Sequence, residues 1–295
     1  MLPGFRIVAP AGYTQLAQLS IPEGAAYVAE SKFVAPSAGD FYVADHELEA
    51  RLRRGLTRFA AEKDSLSGAT LQQQLGRTTT DAPLPAAGAT ELVSAAELYR
   101  ARCDSVVVIG HLLASGEVVH GAGVVVRDDG LIATAFHVVD KPAAIARAVM
   151  TRDGRVFPIR EALAGNRAHD VALVKIDATG LAAAPVAMGD AVGTPVAIIG
   201  HPAGQHFMLT QGAIARYASA IQYGDAALLM GVTAEFADGS SGAPVFNMQG
   251  EVTGIVSSTN SSSEQMVVRF AAPAVSLRML LGEAPPDSVP LDLAE

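Results

Sequence analysis

The spacing of hydrophobic positions changes near residue 90. In HELEARLRRGLTRFAAEKD (46–64), Leu48, Leu52, Leu56 and Phe59 recur every three or four residues, which predicts a helix with one apolar stripe. That stripe is read as core or subunit packing. Asp45 is expected as its N-cap, with Glu47 and Glu49 complementing the dipole in the first turn. Ahead of it, FRIVA (5–9), AAYVA (25–29) and FYVA (41–44) read as short strands. The Thr-, Gly-, Pro- and Ala-rich stretch 67–90 reads as a linker.

After a capping-box pattern, Ser94-Ala95-Ala96-Glu97, which opens a short helix, the pattern becomes that of strands. A dozen apolar or alternating runs follow, from SVVVIGHLL to MVVRFA, and DDG (128–130) and RDG (152–154) mark hairpin turns. So many short strands predict antiparallel barrels or a sandwich. AVSLRMLLG (274–282) reads as a closing helix, and the tail after 283 as mobile.

Composition narrows the classes. Half of the 295 residues are hydrophobic, enough for one large core or two small ones. The net charge is −9, most of it carried after residue 90, so there is no electrostatic footprint for nucleic acid. Cys103 is the single cysteine, so no intrachain disulfide forms, and a reducing, cytoplasmic compartment is expected. The first 19 residues lack a basic, apolar leader pattern, and no apolar window is long enough for a membrane span.

EFADGSSGAPVF (235–246) carries the candidate chemistry. A serine nucleophile needs a base, a group that orients the base, and backbone N–H donors converging on the developing oxyanion. Gly239 and Gly242 bracket Ser240 and Ser241, allowing a tight turn before an apolar strand. Ser241 is the hydroxyl that would benefit, while Ser240 is expected to point away. Upstream, GLIATAFHVVD delivers His137 after an apolar strand, and HDVALVKI places Asp170 just before another. The order His, Asp, Ser is one of several known for this triad.

In register, GAGVVV (121–126), DDG, TAFHVV (134–139), DVALVKI (170–176), GHPAG (200–204), GSSGAPVFN (239–247) and GEVTGIVSS (250–258) resemble the trypsin/chymotrypsin-fold serine peptidases. Within them they resemble most the bacterial high-temperature-requirement branch. The resemblance spans roughly 95–282. It implies a mainly β fold: two perpendicular six-stranded antiparallel barrels with a C-terminal helix, preceded here by a small mixed α/β region. It implies Ser241 as nucleophile, His137 as base and then acid, Asp170 as orienter, and the amides of Gly239 and Ser241 as oxyanion hole. Val256, Ser257 and Ser258 would pair with substrate backbone. Glu235 stands where trypsin-like members put an acidic pocket base, which would favour Arg or Lys; the adjacent Phe236 would instead block that pocket. Ala243 replaces a glycine common in the family. Ser240 replaces the Asp of trypsin-type zymogens, so that activation route is not expected. No peptide-binding PDZ domain is expected after residue 283.

These readings set three expected parts: an accessory or regulatory region with linker (1–92), a protease domain (93–283) and a flexible tail (284–295). The expected activity is that of a serine endopeptidase acting on protein or peptide substrates. A regulatory partner or self-association through 1–92 is expected with it, and no nucleic acid, membrane, cofactor or metal. A latent barrel pair serving as a binding scaffold is the competing class. His169 is read as an ordinary surface histidine. His111, His120, His201, His206 and Cys103 have no zinc spacing.

Overall fold

The computed structural model describes residues 43–84, 94–263 and 266–283, with side chains of 259–268 left out. The strands expected at 5–9 and 25–29 and the tail lie outside these residues. Val43 and Ala44 are coil leading into helix α1 (Asp45–Glu62).

All twelve expected strands form. They are β1 (Val106–Leu113), β2 (Val118–Arg127), β3 (Leu131–Thr134), β4 (Ala144–Met150), β5 (Val156–Asn166) and β6 (Val171–Ile176), then β7 (Pro195–Gly200), β8 (Met208–Gln222), β9 (Asp225–Val232), β10 (Pro244–Asn247), β11 (Val252–Ser263) and β12 (Met266–Pro273). They close into two antiparallel barrels, in the orders β1-β2-β3-β6-β5-β4 and β10-β11-β12-β9-β8-β7. Closure removes exposed sheet edges. The DDG and RDG turns join β2 to β3 and β4 to β5.

Strands between the two interiors are buried on both faces, which explains their continuous apolar runs. Side chains alternate along a strand. Val196 and Ile198 of β7 therefore belong to the small core of the second barrel, and Ala197 and Ile199 to the large core built on the first. Val245 and Phe246 of β10 divide in the same way.

The first barrel is wrapped by helices. On α1, Leu52, Leu56 and Phe59 are at most 2% exposed, each burial stabilising by about 1.5–3 kcal/mol. The stretch read as a linker holds a second helix, α2 (Gly68–Leu75), capped by the Ser67 hydroxyl on the Thr70 amide at 3.1 Å. Leu71 and Leu75, one helical turn apart, are buried against β5. The capping box at Ser94 and Glu97 opens α3 (Ala95–Arg102), and α5 (Ala274–Leu280) follows the last strand. Between β3 and β4 lies one helical turn, α4 (Phe136–Val139). Among the described residues no helix is long and apolar enough to cross a membrane.

Candidate active site

Three elements from two barrels meet. His137 sits in α4, directly after β3. Asp170 occupies the β5–β6 turn with φ +54°, a left-handed conformation that Asp tolerates better than most residues. Ser241 lies in the turn before β10.

The carboxylate of Asp170 collects three donors. The His137 amide donates to Oδ1 at 3.0 Å, the His137 ring places Nδ1 2.8 Å from Oδ2, and the Ser257 hydroxyl donates to Oδ2 at 2.6 Å. An ionised carboxylate only accepts, so Nδ1 carries the proton and Nε2 presents a lone pair. Ser257 reaches Asp170 because the β11–β12 register shifts between Val256 and Ser258, leaving Ser257 unpaired. The sequence placed Ser257 on the substrate strand and did not anticipate this bond. Val256 has both backbone groups engaged, its amide with Ala243 and its carbonyl with Gly242.

The turn at Ser241 is clamped from both barrels, by Ala122 of β2 and Val256 of β11. The Ala122 amide donates to the Ser241 carbonyl, and the Gly242 amide to the Val256 carbonyl, both at 2.8 Å. Gly242 has φ +85°, and a Cβ there would overlap the Ala122 carbonyl and the buried Thr134 hydroxyl. Gly239 has φ +93°, and a Cβ there would overlap the His201 carbonyl. Among the described residues, the amides of Gly239 and Ser241 donate to no protein acceptor, while those of Ser240, Gly242 and Ala243 do. The Ser241 hydroxyl donates to the Ser257 carbonyl at 3.4 Å and is not hydrogen-bonded to His137.

Two cavities of about 400 Å³ flank His137. One is lined by Gly121, His137, Val138, Gly239 and Ser241, the other by His137, Asp170, Tyr223, Ser257 and Ser258.

Other expectations are corrected. Glu235 lines neither cavity; its side chain is 80% exposed and stands 3.5 Å from Arg269. Phe236 is buried in the core of the second barrel and does not line the cavity that Ser241 lines. His169 is buried, with Nδ1 2.8 Å from the Ser276 hydroxyl and Nε2 3.0 Å from the Ala226 carbonyl, pinning the Asp170 turn to α5 and β9. The Ser240 side chain is buried. Among the described residues no cluster of three His, Cys, Asp or Glu side chains has metal-binding geometry.

Comparison with known proteins places this geometry. Residues 121–255 match the trypsin-like peptidase domain. A DegP-like periplasmic serine endoprotease of Halomonas elongata is 33% identical over 158 residues, covering 52% of this chain and 32% of that protein. One from Brucella suis is 30% identical over 171 residues, covering 56% and 33%. The matches thus span about a third of these relatives. The crystal structure of a serine endoprotease from Yersinia pestis superimposes with a TM-score of 0.53 at 25% identity, covering 64% of this chain and 68% of that one.

The relatives' names overturn the expected cytoplasmic compartment. The physical reason is that Cys103 carries no redox information: it is buried, and desolvation pushes its thiol up to about 11, so it stays an inert thiol. Fold, motif order and relatives point the same way: residues 121–255 match a trypsin-like peptidase domain, and the chain is similar in sequence to DegP-like serine endoproteases and in fold to the Yersinia pestis serine endoprotease.

Proposed function

We propose that the protein is a serine endopeptidase that cleaves peptide bonds through an acyl-enzyme. The observation that carries this reading is the Ser257–Asp170–His137 chain of hydrogen bonds beside a serine turn with two unengaged amides. An extended peptide lies along Ser257 and Ser258 in one cavity and leaves through the other. Ser241 Oγ attacks the scissile carbonyl as His137 Nε2 takes its proton. Asp170 holds the tautomer and stabilises the imidazolium. The Gly239 and Ser241 amides receive the oxyanion, each donor lowering the barrier by about 3–4 kcal/mol. His137 then protonates the leaving amine, and water repeats the sequence on the acyl-enzyme.

The hydroxyl of Ser241 must first leave the Ser257 carbonyl, a rotation about one staggered torsion. That resting bond supports a second reading, a latent barrel pair that waits for a partner or works as a scaffold. Incubating the full-length protein and Ser241→Ala with unfolded casein separates the two. New peptides from the wild type alone support the peptidase; intact casein in both samples, over hours and with added peptide ligands, favours the scaffold.

A further inference from the structure

The serine turn rests on a cluster of three histidines whose middle ring is held by α1, an element outside both barrels. Asp45, expected as a helix cap, caps nothing: the N-cap position is Ala44, and the Asp45 carboxylate turns away from the helix. Its Oδ1 accepts from the His206 amide at 2.8 Å and lies 3.0 Å from His206 Nδ1. The His206 side chain is fully buried, and its Nε2 has no partner among the described residues. Among the described residues Asp45 therefore supplies the only polar anchor of that ring.

The ring of His206 packs between His120 of β2, at 5.7 Å between centroids, and His201, at 5.4 Å. His201 is locked: the Phe207 amide donates to its Nδ1 and its Nε2 donates to the Val107 carbonyl, both at 3.1 Å. Both neighbours touch the oxyanion turn. The His201 carbonyl lies directly under Gly239, and Ala203 two residues on donates to the Asp238 carbonyl at 2.8 Å. His120 Cε1 lies 3.1 Å from the position a Gly239 Cβ would take, and its ring lines the cavity shared by His137 and Ser241.

We propose that Asp45 is a positioning residue, acting through His206 and the His120–His201 pair to hold the Gly239–Ser241 turn with its amides facing the cavity. α1 then works as a strut that ties the residues preceding the barrels to the readiness of the oxyanion hole. The catalytic half of this inference rests on the peptidase reading; the coupling of Asp45 to the turn does not.

The test uses the full-length wild type, Asp45→Ala and Asp45→Asn, which keeps an acceptor oxygen. Amide hydrogen exchange over 237–242 reads the turn directly, and the rate of fluorophosphonate labelling reads its consequence. In Asp45→Ala, exchange at the turn should rise at least about fivefold. Labelling should slow about tenfold, the scale of one lost hydrogen bond to a charged group, while Asp45→Asn keeps at least roughly a third of the wild-type rate. Faster exchange confined to α1, with 237–242 unchanged in Asp45→Ala, overturns the proposal whatever the labelling rate. Faster exchange at the turn in a protein whose wild type is never labelled upholds the coupling and removes the peptidase reading instead.

Discussion

The two barrels share a strand plan and differ in what surrounds them. The first is enclosed: α1, α2 and α5 add Leu52, Leu56, Phe59, Leu71, Leu75 and Leu277 to one continuous core. Its buried Arg147 donates to the Leu66 and Lys141 carbonyls, tying the α1–α2 connection to the segment just after His137. The second barrel has a smaller core, Val196 to Ala271 joined by Ala122 of β2, and among the described residues every strongly exposed large hydrophobic except Ile145 lies on it or on the connection leading into β7, from Met188 to Tyr223. The enclosed barrel carries His137 and Asp170; the other carries Ser241 and the two unengaged amides. In the cycle proposed above, the groups whose mutual geometry must hold throughout sit against the thick core, and the serine turn, whose hydroxyl must rotate, sits in the thinner one, fastened by β2 and the histidine cluster.

Removing core from the enclosed side should have the largest effect on stability. Leu56→Ala should cost about 2–5 kcal/mol, read as a lower urea midpoint at unchanged slope. A loss under about 1 kcal/mol would mean that α1 is not part of the first barrel's core.

Acid should loosen the same side next. His111 in β1 and His201, bonded to Val107 of β1, are fully desolvated, and burial lowers both to about 3. Their folded values lie below the unfolded one, so the unfolded chain binds more protons. Stability is therefore complete above about pH 6.5 and falls as pH drops toward 3, by about 2 kcal/mol per histidine at pH 5. Denaturant midpoints at pH 7.5 and pH 5 check this, and a flat profile between them would refute it.

A smaller effect is expected where the barrels meet. Ser257→Ala removes one donor from Asp170 and should lower kcat about tenfold with KM within about twofold. Least of all, Ile221→Ser on the exposed hairpin of the second barrel should change stability by less than about 0.5 kcal/mol.

Much of this was legible beforehand because the determinants are local. Continuous runs such as PVAIIG and alternating ones such as EVVHGAG announce strands regardless of what they face. The serine turn announces itself through glycines that only its positive φ angles require. What stayed hidden depends on partners far away in sequence. Nothing near His169 reveals Ser276 or Ala226, and nothing near Asp45 reveals His206, 161 positions on. α2 stays hidden because GATLQQQL offers only two large apolar positions in eight residues, although Ser67 and Thr70 already carry its cap. Glu235 lies in the loop after β9, and counting back from Ser241 does not tell which way a loop side chain points.

The central assignment is tested most directly by locating the adduct of a fluorophosphonate probe on the full-length protein by peptide mass spectrometry. One adduct on Ser241, absent in Ser241→Ala and slowed at least about a thousandfold in His137→Ala, is the expected result. Labelling of Ser241→Ala at the wild-type rate, or an adduct on another residue, would contradict it.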